Sequence, residues 1–136
     1  MKTIYIDTNI YLDYLLGRKN QFDKPLGPDA LTLFHRAIGC EFKIIVSSKI
    51  LEELYGNCSI DETRMLFAFL KKKLQIVKVT KEEVSQAKSM CVGAPYQDAL
   101  HAILANKYKA EYLITRNMIH FNQYRSLIEP KYPSDI

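Results

Sequence analysis

Asp98 is the residue whose setting in this sequence most favours a chemical role. It opens a segment that is apolar almost all round, Asp98-Ala99-Leu100-His101-Ala102-Ile103-Leu104-Ala105, and this pattern predicts a buried helix. Asp98 shares one side of that helix with Ala102 and Ala105. A buried ionised carboxylate needs a counter-charge, and no lysine or arginine lies at helical spacing from it. A divalent metal ion would supply the charge, although the helix dipole alone also favours an acid in a first turn.

Asp7 is a second acid in a suggestive place, directly after the apolar segment 3–6, which we predict to be a β-strand. An aspartate there is commonly a helix N-cap, and Thr8 could fill that position equally well, which would free Asp7 for another role. Asp7-Thr8-Asn9 is also similar to a phosphatase nucleophile motif. That motif needs a second acid where this chain has Asn9, so a phosphatase is disfavoured.

Two adjacent glutamates, Glu52 and Glu53, lie on a predicted helix whose apolar face is about equally far from both. Periodicity therefore does not choose between them, and both could simply be solvated. His101 lies three residues after Asp98 and is expected to be a packed or hydrogen-bonded histidine that at most supports the site. His35 and His120 carry no pattern that we can interpret.

Short β-branched segments alternate with longer helical patterns along the chain. This alternation predicts an α/β fold: a three-layer sandwich with a mostly parallel sheet of four or five strands and helices on both faces. The predicted strands are 3–6, 43–46, 74–79, 112–114 and an edge strand at 127–128. The predicted helices are 8–16, 29–38, one from Ser47 or Ser48 to Tyr55, 61–73, one capped by Thr80 with Glu83 and ending near Met90, 96–108, and a short one after Met118.

Ligands bind beyond the carboxyl ends of the strands in sheets of this kind. The polar residues that directly follow the strands should therefore converge. They are Asp7-Thr8-Asn9, Ser47-Ser48, Thr80 and Thr115-Arg116-Asn117.

Composition places limits on the class of protein. The 136 residues, 48% hydrophobic and 25% charged, predict one globular domain over residues 1–136. No apolar run reaches the roughly 18 residues of a membrane helix, and Asp7 interrupts the segment where a signal peptide needs its apolar middle. Three cysteines without metal-binding spacing predict reduced thiols and a cytoplasmic protein. The net charge of +4 suits a polyanion such as RNA.

Four segments follow one another in an order that is familiar. They are Ile4-Tyr5-Ile6-Asp7-Thr8-Asn9-Ile10-Tyr11-Leu12-Asp13, Val46-Ser47-Ser48-Lys49-Ile50-Leu51-Glu52-Glu53-Leu54-Tyr55-Gly56, the Asp98 segment, and Tyr112-Leu113-Ile114-Thr115-Arg116-Asn117-Met118-Ile119-His120-Phe121. Together they resemble the PIN-domain family, the metal-dependent ribonucleases that include the VapC-type toxins. In that family the second acid stands directly before a leucine, which selects Glu53 over Glu52.

The resemblance implies a metal-dependent endoribonuclease that uses Mg²⁺ or Mn²⁺, ions that prefer oxygen ligands. It implies catalytic and metal-binding roles for Asp7, Glu53 and Asp98, metal binding by Asn117, and supporting roles for Thr8, Asn9, Thr115 and Arg116. Asn117 stands where many members carry a fourth acid. Asparagine offers a carbonyl ligand but no charge, so binding of a second metal is open.

The resemblance also suggests partners: RNA, an antitoxin protein if the chain is a toxin, and a second copy in a homodimer. Basic residues that could hold RNA are Lys71-Lys72-Lys73, Lys107, Arg116 and Arg125, although the lysine run is more simply a solvated helix end. The competing hypothesis is a PIN-like RNA-binding or scaffold module whose catalysis has weakened with the loss of the fourth acid.

Overall fold

A five-stranded parallel sheet in the order β3-β2-β1-β4-β5 forms the centre of the computed structural model, which describes residues 1–136. Its strands are β1 (Lys2–Ile6), β2 (Phe42–Ser47), β3 (Leu74–Val77), β4 (Tyr112–Ile114) and β5 (Glu129–Lys131). Ile4, Tyr5 and Ile6 are consecutive and fully buried. Since neighbouring side chains of a strand point to opposite faces, both faces of β1 are covered.

Seven α-helices cover the sheet. They are α1 (Thr8–Leu15), α2 (Gly27–Ile38), α3 (Ser48–Tyr55), α4 (Ile60–Leu70), α5 (Lys81–Met90), α6 (Tyr96–Lys107) and α7 (Met118–Phe121). Helices α1 to α4 pack against one another, whereas α5 and α6 form a separate pair with α7 beside α6. The α/β sandwich predicted from the sequence is confirmed. No helix combines the length and apolar character that crossing a membrane requires.

Local sequence explains where several helices begin. The Ser47 hydroxyl accepts a hydrogen bond from the Ile50 N–H at 3.2 Å, so Ser47 rather than Ser48 caps α3. Thr80 and Glu83 form the predicted capping box at the start of α5. Pro95 precedes α6 in an extended conformation, as expected of a residue that opens a helix. The three cysteines are free thiols, as predicted.

Four elements have a boundary that differs from the prediction by two residues or more. The last strand lies at 129–131 rather than 127–128 and contains Pro130, which is tolerated because β5 is an edge strand. Helix α4 ends at Leu70, and Lys71–Lys73 form a 3₁₀ turn. Strand β3 ends at Val77. Helix α2 begins at Gly27, with Pro28 in its first turn, where a missing N–H costs nothing.

The order of the strands reverses at β1. The chain builds β1, β2 and β3 outward in one direction and then places β4 on the other side of β1. Ile6 of β1 and Ile114 of β4 are paired, so the residues that follow them, Asp7 and Thr115, meet at this switch point. A crevice at the carboxyl ends of two such strands is the usual ligand site of an open α/β sheet.

Candidate active site

Asp7 lies at the switch point and is held by the strand beside it. Its N–H donates to the Ile114 carbonyl at 2.9 Å, and its Oδ2 accepts from the Thr115 hydroxyl at 3.0 Å. The same hydroxyl accepts from the Asn117 N–H at 3.0 Å. Asp7 occupies the N-cap position of α1, yet its side chain makes no capping bond. Thr8 is the first residue of the helix and does not serve as its cap.

The Asp7 carboxyl is only 4% exposed and contacts no lysine or arginine. Burial raises its pKa above the ordinary value, His101 and Thr115 oppose that rise, and the charges of Asp98 and Glu53 add to it. The mutual influence of the three acids shows that they share one electrostatic environment. A buried acid in that setting favours a bound cation.

Glu53 faces the site from α3, and Glu52 does not. Oε1 of Glu53 accepts from the Thr8 hydroxyl at 3.3 Å and lies 2.8 Å from Nε2 of His101. Burial tends to raise the pKa of Glu53, but the hydrogen bond and charge of His101 hold it below the usual value. The Glu52 side chain is 73% exposed and lies 3.4 Å from the Lys49 ammonium. The tertiary structure therefore separates two glutamates that periodicity could not.

A chain of hydrogen bonds fixes the imidazole that holds Glu53. Nδ1 of His101 lies 2.6 Å from the Tyr5 hydroxyl, which lies 2.8 Å from the Ser47 hydroxyl. Burial raises the pKa of Tyr5, so its phenol keeps its proton. With Nδ1 of His101 held by the Tyr5 hydroxyl, the Nε2–H is directed at Glu53. Sequence reasoning missed Tyr5, because inside a buried strand it looks like any core aromatic.

Asp98 projects from α6 towards α7. Its Oδ2 lies 2.9 Å from Nδ1 of His120, and the Asn117 amide nitrogen lies 2.7 Å from the same Nδ1. Nδ1 of His120 can donate to the Asp98 carboxylate or accept from the Asn117 amide, but it cannot do both. Burial raises the pKa of Asp98, with the two histidines His101 and His120 opposing it. The partner of Asp98 is thus a histidine 22 residues away on another helix, which helical spacing could not reveal.

These residues suit a cation chemically but are not closed around one. No group of three or more histidine, cysteine, aspartate or glutamate side chains is arranged to hold a metal ion. Each acid is instead tied to a different neighbour: Asp7 to Thr115, Glu53 to His101 and Asp98 to His120. The donor set is nevertheless rich in carboxylate oxygen, with Asn117 alongside, which is the chemistry that Mg²⁺ and Mn²⁺ require.

Arg116 and Asn9 make their hydrogen bonds with residues other than the three acids. Nε and Nη2 of Arg116 donate to the two carboxylate oxygens of Asp13 at 2.5 and 2.8 Å. Asp13 is almost fully buried, and Asn9 accepts from Arg18 Nη1 at 3.0 Å. Asp13 was not singled out from the sequence. The only available hint was an acid at a position of α1 that is otherwise surrounded by apolar residues.

The other basic residues considered for RNA binding are scattered. The 3₁₀ turn Lys71–Lys73 precedes β3 and so lies at the amino end of the sheet, opposite the acids. Lys107 pairs with Glu83 at 3.0 Å, and Arg125 donates to the Asn122 side chain at 2.9 Å. The expectation that the lysine run is a solvated helix end agrees with this placement.

Comparison with known proteins identifies the type of domain. The family model described as "PIN domain" matches residues 3–118. A chain of a toxin–antitoxin complex from Klebsiella pneumoniae superposes with a TM-score of 0.61 at 20% identity, covering 98% of this chain and 99% of that one. VapBC2 from Rickettsia felis, bound to a DNA fragment from its promoter, gives 0.60 at 19% identity, covering 96% and 98%. No curated protein matches the sequence.

Proposed function

The chain belongs to the PIN-domain family, and from that premise we propose that it is a metal-dependent endoribonuclease that hydrolyses phosphodiester bonds of RNA. The observation that carries the proposal is the buried Asp7, which lacks a cationic partner and shares its environment with Glu53 and Asp98. Three acids from separate elements at a switch point have no structural purpose that a hydrophobic core would not serve better.

Asp7, Glu53, Asp98 and Asn117 would hold the metal, Mg²⁺ or Mn²⁺. When bound, the ion supplies activation of water and neutralisation of charge on the phosphate. The protein's own residues prepare the site for it. The Thr115 hydroxyl orients Asp7, and the buried His101 keeps Glu53 ionised and correctly turned. Thr8 donates to the same oxygen, Oε1 of Glu53, so that the carboxylate is fixed before any ligand arrives.

Matched glutamate variants test this proposal. Glu53→Gln should lower metal-dependent cleavage of RNA by at least about 100-fold, since it removes a charge where phosphoryl transfer needs one. Glu52→Gln, one residue away and exposed, should cleave like the parent. Activity should disappear in excess EDTA and return with Mn²⁺. Cleavage that survives EDTA, or equal effects of the two substitutions, would refute the metal site.

A PIN-like RNA-binding or scaffold module is the second candidate. It is favoured by Asn117 at the place of a fourth acid and by the histidines that occupy Glu53 and Asp98. The two functions differ in a simple measurement. The module would bind RNA and leave it intact at every Mg²⁺ and Mn²⁺ concentration, whereas the ribonuclease would shorten it.

We also propose that the protein is the toxin of a cytoplasmic toxin–antitoxin pair, because both structural neighbours come from such complexes. An apolar groove of about 660 Å³ between α1, α2 and α4 would receive a helix of the antitoxin. Tyr14, Met65 and Phe69 line it and are exposed to solvent. Three free thiols suit the reducing cytoplasm.

Co-expression with the product of any small reading frame found beside this gene tests the partner. Met65→Glu should abolish co-purification, because it places a charge in the apolar groove. Val92→Glu, at an exposed apolar position outside the groove, should not. Retention of the complex by Met65→Glu would rule out this surface. Light scattering on the protein alone tests the homodimer that the family resemblance suggests.

A further inference from the structure

The segment between α1 and α2 is an ordered hairpin that presents one large aromatic side chain to solvent. Lys19 and Pro25 form an antiparallel bridge. The Asn20 side chain accepts from the N–H groups of Phe22 and Lys24 at 2.8 and 3.0 Å, which fixes the tip. Phe22 stands on that tip with 80% of its surface exposed. Exposure of this apolar ring to water is unfavourable and adds nothing to the core, although hydrogen bonds fix the backbone of the hairpin.

Cations line the cleft beneath this ring. A cavity of about 500 Å³ is bounded by Arg18, Lys19, Asn20, Gln21, Phe22, Leu26 and Arg116, with no acid among them. The nearest acids are already paired: Asp13 receives both donors from Arg116, and Asp23 lies 3.4 Å from the Lys19 ammonium. We call this cavity the Phe22 cleft. These two acids offset two of the three cations, Arg18, Lys19 and Arg116, so the cleft keeps a small net positive charge.

The Phe22 cleft continues into the candidate active site. Arg116 also borders a smaller cavity of about 260 Å³ with Asn9 and Asn117. Asn117 in turn contacts His120, the partner of Asp98. Arg18 donates to Asn9 at 3.0 Å and lies 4.0 Å from Asp13, so its guanidinium is held by residues next to the candidate active site. A continuous path thus leads from the acids past Arg116 to the exposed ring.

We propose that the Phe22 cleft binds one nucleotide of single-stranded RNA next to the scissile bond, with the base stacked on Phe22 and the phosphate held by Arg18 and Arg116. This assignment rests on the proposed ribonuclease function. The guanidinium of Arg116 makes no hydrogen bonds in the protein beyond the two to Asp13, so its remaining N–H groups can reach a phosphate.

The chemistry of the cleft favours a single strand over other ligands. An exposed aromatic ring beside arginines is the combination with which proteins bind unpaired bases and their backbone. The bases of a duplex are stacked on each other and cannot reach the ring. The volume lies within the range of small-ligand sites and is sufficient for one nucleotide.

Binding measured in EDTA, where no cleavage occurs, tests the assignment. The probe is a fluorescein-labelled, unstructured 12-nucleotide RNA followed by anisotropy. Phe22→Ala should weaken binding about 5- to 150-fold, the range expected for the loss of one base–aromatic stack. Phe22→Leu should weaken it similarly, whereas Phe22→Trp should bind like the parent. Ile76 is an exposed apolar residue of the edge strand β3, so Ile76→Ala serves as the control and should leave RNA binding unchanged.

Arg18→Ala should reduce the slope of log affinity against log salt by roughly 0.7, the contribution of one phosphate contact on a single strand. Binding of the same sequence as a duplex should be insensitive to Phe22→Ala. Equal affinity of Phe22→Ala and the parent, or full retention by Phe22→Leu, would overturn the stacking role. If the parent cleaves RNA with Mn²⁺ while Phe22→Ala binds RNA normally, the proposed role of the Phe22 cleft is wrong and the proposed ribonuclease function is retained. If the parent neither binds nor cleaves RNA, both proposals fail.

Discussion

Asp7 combines burial with a carboxyl group that no basic side chain neutralises. Its folded-state pKa is raised above 3.8, the ordinary value for aspartate, and burial is the main cause. The folded protein therefore binds more protons than the unfolded chain just above pH 3.8. Stability must fall as pH rises through that range and stay reduced at neutral pH. Metal-free protein thus carries a stability cost at Asp7, a proposed metal ligand.

Asp7→Asn should relieve that cost. We expect the variant without metal to be more stable than the parent at pH 7.5 by on the order of 1 kcal/mol, since a buried unpaired charge is removed and Thr115 can still donate to the amide oxygen. The gain should shrink as the pH falls, and it should vanish only well below 3.8, where Asp7 is protonated in both states. Thermal denaturation across pH in EDTA measures it. A variant less stable than the parent at neutral pH would contradict the proposed role of the charge.

Asn117 is a second position at which a change of one charge should alter metal binding. Asn117→Asp is nearly isosteric and places a carboxylate beside His120 and Asp98. It should lower the stability of the metal-free protein slightly through repulsion and tighten Mn²⁺ binding, most for a second ion. Calorimetric titration of the variant and the parent gives affinity and stoichiometry. Unchanged values for both would place Asn117 outside the metal site.

The ion pair of Asp13 with Arg116 connects two elements that carry the site. Asp13 belongs to α1, which directly follows Asp7, and Arg116 belongs to the turn after β4, which supplies Thr115 and Asn117. Arg116→Met should lower the free energy of unfolding by about 3 kcal/mol, because Asp13 remains buried and only Arg18, at 4.0 Å, is near it. Urea denaturation measures the change.

A double variant separates charge from packing. Asp13→Leu with Arg116→Met replaces the pair by apolar side chains and should recover most of the lost stability. A single Arg116→Met substitution that costs less than 1 kcal/mol would mean that water or Arg18 already compensates Asp13. The Asp13–Arg116 ion pair would then contribute to the proposed RNA binding and not to stability.

The proposed metal should stabilise the whole molecule, since its proposed ligands come from separate elements: Asp7 follows β1, Glu53 lies on α3 and Asp98 lies on α6. Binding to the folded state alone adds about 2.7 kcal/mol at a metal concentration 100 times the dissociation constant. We expect the melting temperature to rise by several degrees with Mn²⁺ and to return in EDTA. Asp98→Asn should lose most of this shift, and Glu52→Gln should keep it. An identical melting temperature with and without Mn²⁺ would argue that no ion joins these elements.

The architecture was predictable from the order of strand and helix patterns along the chain, because this alternation leaves few options for a chain of this size. The sequence also located Asp7 and Thr115 at strand ends, where a parallel sheet must bring them together. The last strand was misplaced by two residues because Pro130 suggests an end rather than a strand. A proline in an edge strand breaks no ladder bond, and only the sheet order reveals that β5 is an edge.

Tertiary structure alone decided which side chains meet. Glu52 and Glu53 are equivalent on a helical wheel, and only the position of α3 against His101 gives Glu53 its partner. His120 and Asp13 carried no pattern, because their partners Asp98 and Arg116 are 22 and 103 residues away. Periodicity reports which face of an element is buried. It contains no information about which other element covers that face, and the chemistry of this site depends on those pairings.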